Sequence, residues 1–239
     1  DQEVRTVDQA HHDPEVGDAR TALAIAPVQV DALYETPTQH HNPIELFTTT
    51  CEWHGDQLTI HEPSQFLVGL AGTVARQIGV DPDRVRAVSR LVGGGFGSKG
   101  AATSRTSWVA VAARQLNRPV KLVSTREQGF TIATHRAETR QRLRLGAERD
   151  GQLVALLHEG WEVSSRPSNY TVGGTLTTAR MYNCPNVWTR VHVVHADRPT
   201  PGFMRAPPDL PYGFALESAM DELSWALGMD PIALRRRND

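Results

Sequence analysis

The sequence predicts an α+β fold, and three observations carry that reading. Strand-like and helical stretches follow one another without the strict alternation of a doubly wound sheet. Asp150-Gly151 separates two runs of alternating apolar residues, which marks a long antiparallel hairpin. Apolar residues recur at helical spacing at Leu67, Leu70, Val74 and Ile78, and again at Leu216, Met220, Leu223 and Leu227.

Taken in order, residues 1–20 are polar and acidic, carry a His11-His12-Asp13 cluster and are expected to be a flexible leading segment; residues 21–239 are expected to form one domain. After Pro27, the alternation Val28, Val30, Ala32, Tyr34 predicts a half-exposed strand. Residues 35–45 form a loop punctuated by proline; His40 and His41 are adjacent and point opposite ways in extended chain, a poor arrangement for sharing one metal ion. Thr48 to Trp53 and Gln57 to His61 flank a His54-Gly55-Asp56 turn and predict a hairpin, and Cys51, His54 and His61 lack a fourth ligand for zinc. Phe66 to Ile78 predicts an amphipathic helix stopped by Gly79, with Ser64 and Gln65 at its N-terminal edge.

Val85 to Val92 reads as a buried strand and Ala101 to Leu116 as a helix. Val120 to Val123 is a further strand, and Thr125 to Gln128 starts a short helix. Arg140, Arg142 and Arg144 alternate with Thr139, Gln141, Leu143 and Leu145, a strand with a basic solvent face rather than a nucleic-acid patch, because acids flank it and no aromatics interleave. Leu153 to Trp161 returns across the hairpin, 164–178 reads as a loop, and Val187 to Val194 as a strand. Four prolines and a glycine stiffen Arg198 to Pro208 and fix where Arg205 points. The last helix begins near Pro211 and stops at Gly228, and Asp230-Pro231 opens a final turn.

The chain has 239 residues with a formal net charge of -2, so it can bury a real core and its overall field favours neither nucleic acid nor an anionic membrane. No apolar run is long enough to span a bilayer. Two cysteines, Cys51 and Cys184, cannot hold an iron-sulfur cluster alone; they read as two buried thiols, with a disulfide between them as the alternative. The opening Asp-Gln-Glu-Val-Arg is no signal peptide and lacks an initiator Met, which points to a processed chain or a subunit cut from something larger.

Chemistry concentrates in Val92-Gly-Gly-Gly-Phe-Gly-Ser-Lys-Gly100. Such a run takes backbone angles closed to other residues and lets a ligand lie against the main chain. One alternative is a purely structural turn. Another is a dinucleotide site, because Gly95 to Gly100 satisfies G-x-G-x-x-G; there Arg126, where an acid is usual, would suit a 2′-phosphate. A P-loop is excluded, since Ser98-Lys99 reverses the required order. For Arg205 the alternative is a salt bridge with Asp209 or Glu217.

Five ordered segments then match a family: His40 to Glu45, Pro63-Ser-Gln65, Gly93 to Gly100, Pro201 to Pro207, and Phe214 to Leu223. Together they resemble the molybdopterin-binding large subunit of the xanthine dehydrogenase and aldehyde oxidase family, nearest its bacterial aldehyde oxidase and isoquinoline oxidoreductase branch. The likeness covers about Val28 to Asn238. It implies a molybdenum hydroxylase that oxidises an aldehyde or N-heteroaromatic substrate with water as oxygen source. It implies that Gln65 and Arg205 line the molybdenum centre, and that Gly94, Gly95, Phe96 and Gly97 join them against the cofactor, a molybdopterin in its cytosine dinucleotide form.

The family's general base is a Glu far towards the C-terminus, beyond any counterpart here, and much of its pterin pocket lies there too. The expectation is therefore a first segment of the large subunit, as a split subunit or a fragment. Its partners would be the C-terminal remainder, an iron-sulfur subunit and in some complexes a FAD subunit, so that clusters and flavin sit only on partners. Gly100 replaces a frequent acid, and Pro208 a usual Gly. The rival of another class is a cofactor-free family domain serving as a binding or scaffold subunit, or repurposed for other chemistry. Substrate and localisation, cytoplasmic or periplasmic by co-export with a partner, stay open.

Overall fold

In a computed structural model, the structure describes residues 3–6, 14–168 and 170–239. In chain order the elements are β1 (Glu3–Thr6), β2 (Glu15–Val16), α1 (Ala19–Ile25), β3 (Val28–Thr36), β4 (Gln39–His40), β5 (Thr48–His54), β6 (Gln57–His61), α2 (Leu67–Ile78), β7 (Val85–Val88) and α3 (Ser104–Leu116). There follow β8 (Val120–Val123), α4 (Arg126–Ile132), β9 (His135–Arg136), β10 (Thr139–Ala147), β11 (Leu153–Ser165), α5 (Thr175–Thr178), β12 (Val187–Ala196), α6 (Asp209–Leu227) and α7 (Pro231–Arg237). Mixed strands and helices give the α+β class the sequence predicts. The range 21–239 divides between two compact units: one comprises residues up to 39 with 136–201 and 206–239, the other 40–135 with 202–205.

The first unit is built on a sheet ordered β1-β12-β11-β10-β3, with β2 also paired to β12. β10 and β11 form the antiparallel hairpin, β3 pairs antiparallel to β10, and β12 runs parallel to β11. Leu143, Leu145 and Leu156 bury one face against Leu216, Met220 and Leu223 of α6. Ala155 and Leu157, on the other face of β11, pack against Ala19, Ala22 and Leu23 of α1. Two arginines of the β10 stripe pair with the edge strand beside it, Arg140 with Glu35 and Arg142 with Asp31, each at 2.6 Å, while Arg144 lies 3.9 Å from Glu159 on β11.

Parts of the expected flexible leader are built into this unit as β1, β2 and the start of α1, whereas the His11 to Asp13 cluster lies outside the described residues. α1 is not anticipated by the sequence, in which residues up to 20 read as a leader and the first strand begins only after Pro27. Deep in the unit, His158 is fully buried between Thr178 and Gln141, and burial pushes its pKa down to about 3.

The second unit has a sheet ordered β7-β6-β5-β8. The β5–β6 hairpin turns through Gly55, whose φ of 62° suits a tight two-residue turn. α2 and α3 close a core of Leu58, Ile60, Leu70, Val74, Val109 and Ala113. α2 stops at Gly79, which takes the left-handed conformation at φ 73°, as the sequence predicts. α2 is also the crossover between β6 and β7, which run parallel, so their C-terminal ends lie side by side at one edge.

Candidate functional site at the ends of β6 and β7

Past those strand ends come Pro63-Ser64-Gln65 and the glycine bend. Strand β7 stops at Val88, earlier than expected, and Leu91 and Val92 lie exposed on the approach to the bend. α3 starts at Ser104, later than the expected Ala101, so the donors beside the bend belong to the bend and not to a helix end. Gly94 has φ 96° and Gly97 φ 106°, and Phe96 between them has φ 56°. Holding a phenylalanine there costs about 1–2 kcal/mol, a strain worth reading as functional. Ser98 N and Gly100 N close successive turns onto Gly95 O and Gly97 O, both at 3.0 Å.

Gln65 is locked to this bend. Its N donates to Lys99 O at 2.9 Å, and its Oε1 accepts from Gly97 N at 2.9 Å and Lys99 N at 3.4 Å. Two main-chain donors on the oxygen fix the amide's orientation and turn the Nε2 donors away from the loop. A Cβ on Gly95 would fall 2.3 Å from that Oε1. The N–H groups of Gly94, Gly95 and Phe96 donate to no acceptor among the described residues, which leaves three consecutive donors beside the glutamine.

Arg205 reaches the same place on the proline-rich strap. Its N donates to Phe96 O at 2.8 Å, and a Cβ on Gly97 would lie 2.4 Å from Phe203 O. Nε2 of His41 lies 2.8 Å from Phe203 O and its Nδ1 3.0 Å from Thr134 O, so both ring nitrogens face carbonyl oxygens and neither is open to a metal. The predicted residues Gln65, Gly94, Gly95, Phe96, Gly97 and Arg205 thus come together in one unit.

Beneath them lies a polar cluster that the sequence did not signal. Glu62 is paired with Arg105 at 2.7 Å and accepts from Thr49 and Thr106, all of them buried. It anchors the residues leading to Gln65. Burial first, and the Glu62 carboxylate second, push the buried thiol of Cys51 up to about 12. Glu45 and Lys99 are a second unforeseen pair, 2.6 Å apart. Both stand in recognised motifs, but a lysine in a polar loop reads as surface, so only the fold reveals its burial.

A separate hollow of about 1100 Å³ lies on the first unit, over Leu33, Trp161, Val163 and Val194. Its rim charges are the paired Asp31–Arg142 and Glu35–Arg140, and none of the predicted site residues lines it.

The family profile described as Molybdopterin cofactor-binding domain matches residues 3–239. The chain belongs to the molybdopterin cofactor-binding domain family. This domain is 36% identical over 232 residues to the aldehyde oxidoreductase molybdenum-binding subunit PaoC of Escherichia coli, covering 95% of this chain and 31% of that protein. It is 31% identical to the aldehyde oxidoreductase of Megalodesulfovibrio gigas, over 92% of this chain and 25% of that protein. Among solved structures, aldehyde oxidoreductase from Desulfovibrio gigas superposes with a TM-score of 0.81 at 29% identity, over 95% of this chain and 26% of that one. Quinoline 2-oxidoreductase from Pseudomonas putida shares the fold, with a TM-score of 0.86 at 21% identity over 100% of this chain and 30% of that one. The domain spans about a third of the length of the PaoC relatives it matches.

Proposed function

We propose that this molybdopterin cofactor-binding domain supplies one wall of the cofactor site in a molybdenum hydroxylase acting on an aldehyde or an N-heteroaromatic compound. The observation that carries the reading is the convergence of the outward Gln65 amide, three unengaged N–H donors at Gly94 to Phe96, and the Arg205 strap. These groups fit an electron-rich, oxygen- and sulfur-bearing cofactor: all are donors, and the glycines keep side chains from filling the space over the main chain.

When bound, the molybdenum group supplies two-electron redox chemistry that places an oxygen from water on the substrate carbon. The domain's own residues bind and orient. Nε2 of Gln65 would donate to an oxygen of the cofactor, and the bend N–H groups would hold an acceptor in place without reorganising. Arg205 presents a planar fork to a pterin, phosphate or substrate oxygen. The half-exposed Phe96 ring keeps water from one side. The general base and the rest of the pterin pocket come from the remainder of the large subunit. The cytosine dinucleotide form of the cofactor, an iron-sulfur subunit and, where present, a FAD subunit complete the assembly.

Metal analysis with native mass spectrometry of the purified assembly tests this. Molybdenum should appear in the complex with the partner chains and be absent from this chain alone. A lone 239-residue chain carrying stoichiometric molybdenum would overturn the shared-site reading.

A further inference from the structure

Glu45 has no part in the cofactor contacts proposed above, yet among the described residues every hydrogen bond it makes ends on Gly93 or Lys99 of the glycine bend. Its Oε2 accepts from Lys99 Nζ at 2.6 Å and from Gly93 N at 2.8 Å. Its own N donates to Gly93 O at 3.2 Å, and its O accepts from Lys99 Nζ at 3.3 Å. Gly93 and Lys99 bracket the residues that bear the unengaged donors, so one carboxylate closes the bend into a loop fastened at both ends. A Cβ on Gly93 would lie 2.6 Å from Glu45 Cβ, which shows how closely the two segments meet.

The connection continues to Gln65. The Lys99 side chain is 1% exposed, so its ammonium depends on Glu45 for its counter-charge. The backbone of the same lysine accepts from Gln65 N at 2.9 Å and from Ser64 Oγ at 3.4 Å, and donates to Gln65 Oε1 at 3.4 Å. Wherever the ammonium is held, the glutamine is held. Glu45 is itself braced from its other side, since Arg126 donates to Asn42 Oδ1 and Ile44 O, both at 2.9 Å. Burial raises the Glu45 carboxyl, but Lys99 and the Gly93 N–H outweigh it and hold the group below the ordinary carboxylate range.

We infer that Glu45 is a positioning residue, which acts through the buried ammonium of Lys99 to set the Gln65 amide and the donors of the glycine bend. The inference takes from the proposed function only the identity of what those donors meet. Its test uses the assembled complex and the variants Glu45→Gln, Lys99→Met and the two combined; Lys99→Met leaves no unpaired buried charge and keeps the test open if Glu45→Gln folds poorly.

Amide hydrogen exchange in peptides covering 92–100 should quicken about tenfold or more in each variant while α2 peptides stay unchanged. In the molybdenum-loaded complex, kcat should fall about tenfold with KM held within about threefold. Exchange that does not change, or that changes equally in the bend and in α2, overturns the inference, as does unchanged kcat with a loosened bend. A wild-type complex without molybdenum whose variants loosen only the bend would sink the proposed function and leave the latch standing.

Discussion

Alanine at Gly97 and alanine at Gly95 should fail in different ways, and the difference is set by what each new Cβ would strike. At Gly97 it would sit 2.4 Å from the Phe203 carbonyl oxygen and 2.9 Å from its carbon, both main-chain atoms. The strap must retreat by about 1 Å to restore ordinary contact. That displaces two 2.8 Å hydrogen bonds, Arg205 N to Phe96 O and His41 Nε2 with Phe203 O. Each is worth about 0.5–1.5 kcal/mol. A side chain at φ 106° adds about 1–3 kcal/mol of backbone strain. Against this, alanine restricts the unfolded chain and returns about 0.4–1 kcal/mol. The net expectation is a loss of about 1–6 kcal/mol, a large part of a domain's total stability.

Gly95 has no positive φ, and its Cβ would meet the Oε1 of Gln65 at 2.3 Å, the end of a side chain that can swing aside. That costs the 2.9 Å bond from Gly97 N and the longer one from Lys99 N, about 1–2 kcal/mol together, and removes the amide from its place. Urea unfolding followed by tryptophan fluorescence measures the stabilities, and molybdenum content and turnover of the assembled complex measure the site. Gly97→Ala should lose both stability and activity, Gly95→Ala mainly activity. A Gly95→Ala protein less stable than Gly97→Ala, or one with unchanged turnover, would refute the reasoning.

Three other outcomes follow from buried groups. Under native conditions at mildly alkaline pH, a thiol-alkylating reagent should modify Cys184 before Cys51, because Cys51 is fully buried and its pKa is pushed up to about 12; mass spectrometry of the labelled peptides reads the order. His158 takes up a proton in the unfolded chain near its ordinary value but in the folded chain only near about 3. Its contribution is therefore complete above the ordinary value and shrinks as pH falls towards about 3, by up to about 1.4 kcal/mol per unit. His158→Gln should flatten that slope in urea unfolding across the acid range. Arg105→Met leaves the Glu62 carboxylate buried without its counter-charge and should cost about 3–5 kcal/mol, whereas Arg105→Met with Glu62→Leu should recover part of the loss; the same unfolding assay compares them.

Local rules made much of the fold legible. Gly55 between alternating runs gave the β5–β6 hairpin, Gly79 and Gly228 gave the ends of α2 and α6, and Thr125 with Gln128 forms the capping box that opens α4. Facts that depend on distant pairing were out of reach. The parallel match of β12 to β11 follows a long loop that fixes no register. The two units were hidden because the chain passes between them at residues 39/40, 135/136, 201/202 and 205/206, and a composition scan along the sequence finds only contiguous boundaries.

The candidate site was legible to a similar depth and for the same reason. Gln65 and the glycine bend could each be placed after a strand, but only the parallel pairing of β6 and β7 brings those two strand ends to one edge. Arg205 could be placed on a stiff strap, but not against Phe96, because that hydrogen bond joins residues 96 and 205 with no periodic signal between them. Sequence reasoning selects residues whose type suits contact with a ligand, and so it passed over Glu45, Lys99, Glu62 and Arg105. Their charges face one another, at 2.6 Å and 2.7 Å, and their effect on the site is to hold still the groups that face outward. Electrostatic preorganisation of this kind requires that donors not relax when charge develops before them. The buried pairs are therefore expected to affect turnover more than substrate affinity.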